Sequence, residues 1–277
     1  MRVEFDGKTA LVTGASAGIG QDLARELAGR VKTLILVARR KERLEELAAE
    51  LRAKRAGLDV EVEQADLASE ADVDALSDRV LGRHGAIDVL VNNAGAGTHG
   101  WFHEVEYAAL RKMIELNVFG VVHLTRRLAP KMVERRAGAI LNVSSGAGYF
   151  PSPQLGVYGA TKFFVNGFTE TIRAELRPHG VVVCLGCPGP VDSEFAATGG
   201  VPADHDGSVN RVRISSQHCA RELVAGFGRG AAVIFPGRRY RWLIRFGLAM
   251  PRWMTRRGLV RDAQRRAQRA RGASSNP

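Results

Sequence analysis

Seven short apolar runs, spaced by stretches of helical periodicity, constrain the fold of this chain more than any other feature. They fall at residues 10–12, 33–38, 60–64, 87–91, 139–143, 181–186 and 231–235. Most are rich in β-branched residues and nearly continuous in hydrophobicity, as strands covered on both faces are. Between them, Leu44, Leu47 and Leu51 keep helical spacing, and Ser69 with Asp72 forms a capping box opening a helix over 69–81. Two longer helical patterns cover 107–132 and 158–176, and a shorter one covers 216–227. Regular strand–helix alternation sets the strands side by side in a parallel sheet with right-handed crossovers. The expected fold is α/β, a doubly wound seven-stranded parallel sheet that binds ligands beyond the carboxyl ends of its strands.

The first run leads into Thr13-Gly14-Ala15-Ser16-Ala17-Gly18-Ile19-Gly20, after which Ile19, Leu23 and Leu27 keep helical spacing. Strand, glycine-rich turn and helix together point free backbone N–H groups at a pyrophosphate. The glycine spacing is G-x-x-x-G-x-G, not the G-x-G-x-x-G of the general dinucleotide fingerprint. Asn92-Asn93-Ala94-Gly95 directly follows the fourth run, and Ser144-Ser145 ends the fifth. Tyr158 and Lys162 stand four apart on a predicted helix, so their side chains share one face. That pairing predicts a phenol whose pKa is held down by a neighbouring ammonium, able to exchange a proton near neutral pH.

Together these motifs resemble the short-chain dehydrogenase/reductase family, with Asn117 in Leu116-Asn117-Val118-Phe119-Gly120 and the pair Pro188-Gly189 completing the pattern. The resemblance implies a Rossmann fold and interconversion of a ketone and a secondary alcohol. It makes Tyr158 the general acid in reduction and the general base in oxidation. Lys162 would hold the nicotinamide ribose, Ser145 would bond the substrate oxygen, and Asn117 would hold a water linking Lys162 to solvent. Read without the family, Asn117 is a helix-interior Asn bonded to a neighbouring carbonyl. The family's cofactor positions map to Gly14, Ser16, Gly18, Ile19, Gly20, Asp66, Leu67, Asn93, Ala94, Gly95, Pro188, Gly189 and Val191, besides Tyr158 and Lys162. Asp66 matches the adenine contact and Asn93 the adenosine ribose. Ser193 stands near where relatives carry a Thr for the carboxamide. The family also implies a homodimer or homotetramer.

The second strand ends Val37-Ala38-Arg39-Arg40, with no acid to bond a ribose diol. Two guanidinium groups suit a 2′-phosphate, so the expected cofactor is NADP(H). The alternative is that Arg39 and Arg40 merely begin a solvated helix. No metal centre is expected, because His99 and His103 lack a third ligand. Cys184 and Cys187 read C-x-x-C, but on a strand that odd spacing sends them to opposite faces, so they are assigned to packing.

Charge divides the chain. Residues 238–277 hold 12 Arg and one acid, Asp262, while the remainder holds 28 basic and 28 acidic residues. The expected organisation is a catalytic unit over 1–237, with an irregular 192–215 as a substrate lid or a plain surface loop, and a basic extension over 238–277. In the extension, Tyr240, Leu243, Ile244, Gly247 and Leu248 fall on one helical side, and Pro251 ends or kinks the helix. Such a helix caps the cleft, buries its apolar face on the body, or lies on an anionic membrane through residues 238–271, and 266–271 could be a disordered end. Nucleic acid is disfavoured, because the last twenty residues have no base-stacking aromatics. Three cysteines, no signal-like N-terminus and no ~20-residue apolar run point to a cytoplasmic protein, touching the inner membrane surface if the tail binds lipid. The expected substrate is a small hydrophobic carbonyl or alcohol such as a ketoacyl chain, a steroid or another lipid-like ketone. The competing class is an NADPH-binding redox sensor, or a membrane-associated scaffold, without turnover.

Overall fold

The computed structural model describes residues 1–195, 199 and 211–274, with side chains up to residue 268. The main sheet holds β1 (Thr9–Thr13), β2 (Thr33–Ala38), β3 (Asp59–Gln64), β4 (Val89–Asn92), β5 (Gly138–Val143), β6 (Val181–Gly186) and β9 (Val233–Ile234). Every pairing is parallel, in the order β3-β2-β1-β4-β5-β6-β9. The order reverses between β1 and β4, which opens a crevice at their carboxyl ends.

The near-continuous hydrophobicity of the strands follows from their two covered faces. Ala10, Val12, Leu34 and Leu36 pack on one side with Leu23, Leu27, Leu44, Leu223 and Phe227. Their chain neighbours Leu11, Ile35 and Val37 pack on the other with Leu76, Val80, Leu124 and Leu128. The first side is built by α1 (Gly18–Ala28), α2 (Lys41–Lys54) and α7 (Ser216–Gly228). The second is built by α3 (Glu70–His84), α5 (Val121–Glu134) and the far end of α6 (Gly156–Leu176). Burying each Leu stabilises the fold by ~1.5–3 kcal/mol relative to exposure. The Ser69 hydroxyl accepts from the Asp72 N–H, as the capping pattern requires.

Three sequence expectations change. The helix over 107–132 is not continuous: α4 (Tyr107–Ile114) passes through a π-helical turn, Glu115–Gly120, into α5. The wider turn frees Asn117 to bond outside its own helix. The extension is two helices, α8 (Arg238–Ala249) and α9 (Arg252–Ser274), divided at Pro251 as expected, and the change is that 266–271 is helical and not a disordered end. On α8 the docked strip is also narrower than the apolar pattern, because Tyr240 and Ile244 are buried while Leu243 and Leu248 stay exposed.

Most of the expected lid, 192–215, lies outside the described residues. Its ends are tied by a short parallel pair, β7 (Val191–Asp192) and β8 (Ile214–Ser215). Cys184 and Cys187 are buried in separate clusters, so their side chains do lie on opposite faces.

Candidate active site

Two loops border the crevice, and Thr13 locks them together. Its hydroxyl donates to the Val91 carbonyl and accepts from the N–H groups of Asn93 and Ala94, at 2.9 and 3.0 Å. The Asn93 amide donates back to the Thr13 carbonyl at 3.0 Å. The glycines between them are required by closeness. A Cβ on Gly20 would strike the Gly14 carbonyl oxygen, and one on Gly14 would lie 2.9 Å from the Ala94 Cα. Gly14 and Gly18 also adopt positive φ, 67° and 54°. No side chain caps the N-terminus of α1, so its first-turn N–H groups face the crevice. Ile19 packs partly buried against the core behind this turn.

At the rim of β2, Arg40 donates from Nε and Nη2 to the Ser16 hydroxyl, at 3.3 and 3.1 Å. Its Nη1 lies 3.1 Å from one oxygen of Glu194, and Arg43 Nη1 lies 2.6 Å from the other. Arg39 turns the other way, 3.8 Å from Asp66. Asp66 is steadied by accepting from the Ala68 N–H at 3.1 Å, and Leu67 is buried behind it. The two adjacent arginines therefore face different parts of the rim.

At the ends of β5 and β6 the proton-transfer candidates meet. Ser145 caps the short turn Gly146–Gly148 by accepting from the Ala147 N–H, and its hydroxyl stands near enough to the Tyr158 phenol to draw its pKa down. Tyr158 is packed with Leu110 and Met113, and Phe195 lies across it with ring centroids 5.6 Å apart. Lys162, from the next turn of α6, donates to the Val143 carbonyl at 3.3 Å and sits 5.8 Å from the Tyr158 ring centroid. Asn117 crosses from the π turn to bond both backbone groups of Ala96 and the Thr161 hydroxyl. Gly95 is hemmed in by the same pair, since a Cβ there would lie 3.2 Å from Asn117 Oδ1 and 3.5 Å from Lys162 Nζ. Pro188, Gly189, Val191 and Ser193 border the other side, with the Ser193 Cβ 3.1 Å from where a Gly18 Cβ would stand.

The electrostatics correct one expectation. The Tyr158 phenol is not held below its ordinary pKa but is pushed up to about 12 by burial, with the Ser145 hydrogen bond working against the rise. Lys162 does not offset this, because its ammonium is engaged at the Val143 carbonyl and is itself driven down to about 8 by burial. Burial is the largest cause of both shifts.

The shift at Lys162 has a thermodynamic consequence. With a folded value near 8 against 10.5 unfolded, the unfolded chain binds more protons between those pH values. Stability therefore rises with pH through that window, by roughly 3 kcal/mol, and is lost as pH falls toward 8. The opposite slope from Tyr158 falls between 10 and about 12. Lys162→Met should flatten the rise in urea-unfolding free energy between pH 8 and 10. An unchanged slope would mean that the ammonium is not desolvated.

Sequence reasoning missed several groups. Thr13 stands inside the glycine motif and was readable as a strand-end hydroxyl able to bond two loops. Arg43, Glu194 and Phe195 carry no local signal for meeting at the crevice. Tyr240 lies in the basic extension, yet its ring packs on Gly189 and its hydroxyl donates to the Pro188 carbonyl at 3.4 Å. The same carbonyl accepts from the Gly146 N–H, so α8 seals the seam between the two turns that flank Tyr158.

Comparison with known proteins agrees with this architecture. The short chain dehydrogenase family matches residues 8–200, and the chain belongs to that family. It is 38% identical over 191 residues to the 11-beta-hydroxysteroid dehydrogenase A of Sesamum indicum, covering 68% of this chain and 54% of that protein. It is 37% identical over 183 residues to the very-long-chain 3-oxoacyl-CoA reductase of Macaca fascicularis, covering 64% and 57%. The chain thus spans little more than half the length of these two relatives. A short-chain dehydrogenase from Sphingobium yanoikuyae, solved in complex with NADPH, superposes with a TM-score of 0.78 at 33% identity, covering 92% of this chain and 95% of that one. A family member from Burkholderia phymatum, solved with NAD, superposes at 0.77 with 28% identity, covering 88% and 93%.

Proposed function

We propose that this chain is an NADP(H)-dependent oxidoreductase that interconverts a ketone and a secondary alcohol on a hydrophobic substrate, with Tyr158 as proton donor and acceptor. The observation that carries the reading is the convergence of Ser145, Tyr158, Lys162 and Asn117 at the carboxyl edge of the sheet, beside the glycine cradle. The cradle fits a dinucleotide, since added Cβ atoms would fill it and the N-terminus of α1 faces it uncapped by a side chain. Gly14, Gly18, Ile19 and Gly20 would hold the pyrophosphate, and Asn93, Ala94 and Gly95 the adenosine side. Asp66 and Leu67 would border the adenine. Arg40 and Ser16 would take the 2′-phosphate, with Arg39 at the edge. Lys162, Pro188, Gly189, Val191 and Ser193 would flank the nicotinamide.

When bound, the cofactor supplies or removes the hydride. The remaining work belongs to the chain. The Ser145 hydroxyl orients the substrate oxygen. Tyr158 gives that oxygen its proton in reduction and takes it back in oxidation. Asn117 fixes the backbone of Ala96 next to Lys162 and holds the position from which a water would reach the ammonium. The apolar surroundings of Tyr158, including Leu155, Val157 and Phe195, favour a lipid-like carbonyl compound. The names of the Sesamum and Macaca relatives point the same way. Residues 1–237 would form the catalytic unit, with 192–215 as a lid hinged at the β7–β8 pair.

The test is oxidation of NADPH and of NADH against ketones running from small polar compounds to ketoacyl thioesters and steroids. Turnover with NADPH, rising with apolar length, is the expected result. Preference for NADH would overturn the cofactor assignment, and absence of turnover despite tight NADPH binding would favour a sensor.

A further inference from the structure

The basic extension is the largest feature that the proposed chemistry leaves unused. The inner strip of α8 is spent on docking: Tyr240 and Ile244 are buried against Gly146, and Gly247 packs on Phe150. At 100° per residue, Trp242 and Phe246 fall on the opposite side of the helix. They are 71% and 69% exposed, large values for aromatic side chains four residues apart. Leu243, at the edge between this face and the docked strip, is exposed too, and Trp253 and Met254 continue exposed into the first turn of α9. Arg238, Arg239 and Arg245 border the same face, and none of the three forms an ion pair among the described residues.

We propose that the outward face of α8, continued into the first turn of α9, docks on an anionic phospholipid bilayer. Exposed aromatic side chains with Leu243 at their edge, bordered by arginine, suit the boundary between headgroups and acyl chains. No helix among the described residues is long and apolar enough to cross a membrane, so the contact is interfacial. Charge selects the occupant. A second copy docking through the same patch would set arginine against arginine, with Asp262 the lone acid of residues 238–277. Anionic headgroups instead attract every one of these arginines. Nucleic acid would use the charge but leave Leu243 and Met254 in water. Since the inner face of α8 touches the Ser145–Gly146 corner, the bilayer would lie about one helix diameter, ~10 Å, from the site. An apolar substrate could then pass between the lipid and the cleft.

The test is sedimentation of the full chain with vesicles of phosphatidylcholine, with and without phosphatidylglycerol. The expected result is binding to the anionic vesicles only, weakened by salt. Trp242→Ser with Phe246→Ser should lower it at least tenfold, and Arg239→Gln alone by about fivefold. These positions are exposed, so the thermal midpoint and NADPH affinity of the variants should match those of the parent, which separates this result from any failure of the reductase reading. Absence of binding to anionic vesicles, or variants that bind like the parent, would overturn the proposal. So would a fall in solution mass of the Trp242→Ser, Phe246→Ser variant by light scattering, which would assign the face to a second copy. Binding of a DNA duplex without vesicle binding would assign it to nucleic acid.

Discussion

Tyr158→Phe should lower ketone reduction by ~10³-fold, within the span ascribed to one positioned proton donor, and leave NADPH affinity within about twofold of the parent. The two halves of this expectation have separate structural causes. The ring is held by Leu110, Met113 and Phe195, and phenylalanine keeps those contacts. Only the hydroxyl disappears, together with its interaction with Ser145. The end of the crevice where Arg40 donates to Ser16 is built from other elements and is untouched. The variant should also lose the fall in stability between pH 10 and 12, because that fall comes from a phenol pushed up to about 12. Rapid single-turnover mixing with NADPH, alongside a fluorescence titration of NADPH binding, reads both halves. Residual turnover above a tenth of the parent's would remove Tyr158 from the proton path. Lost turnover with lost NADPH binding would make its role structural.

The sheet was legible because both of its faces are covered, so each strand reads as an apolar run and each helix as a stripe. The glycine turn was legible because close backbone approach leaves no other residue possible at Gly14 and Gly20. What sequence could not supply depends on contacts between distant segments. The π turn at Glu115–Gly120 has no local signature, and from it Asn117 reaches Ala96, 21 residues away. Tyr158 and Lys162 were readable as a pair, but the direction of their shifts was not. Spacing reports proximity, whereas burial sets the phenol near 12 and the ammonium near 8. The apolar pattern of α8 placed Tyr240 and Leu243 together, yet only Tyr240 finds a surface to dock on. Which apolar residues of an amphipathic helix are covered depends on the shape beneath it, here the seam between Gly146 and Gly189.

Replacing both Arg40 and Arg43 by Ala should weaken binding of 2′,5′-ADP by ~100-fold and leave 5′-ADP almost unchanged, since two charge-assisted contacts to one phosphate are at stake. Arg43 enters through Glu194. The two guanidinium groups converge on a single carboxylate, at 3.1 and 2.6 Å, and Arg40 is further steadied by Ser16. A pair of guanidiniums converging on one anion, beside a hydroxyl at the rim of β2, has the donor set of a phosphate site, and the carboxylate of Glu194 takes that place. Glu194 should therefore compete with the 2′-phosphate. Its carboxyl is held below the usual range, first by the hydrogen bond from Arg43 and then by that from Arg40, so the competition persists at neutral pH and fades only in acid. All three side chains are about half exposed, so solvent screens the contact and Glu194→Gln should tighten 2′,5′-ADP by no more than about fivefold. Titration calorimetry of both nucleotides against the three proteins decides the matter. Equal losses for 2′,5′-ADP and 5′-ADP in the double variant would place the arginines outside the 2′-phosphate site. An unchanged affinity in Glu194→Gln would mean that the carboxylate and the phosphate bind in different places. If both shifts appear with the expected signs, the preference for NADP(H) is set by a balance. The arginines that recognise the cofactor are also neutralised by the chain's own acid, so the affinity measured is the difference between those two contacts.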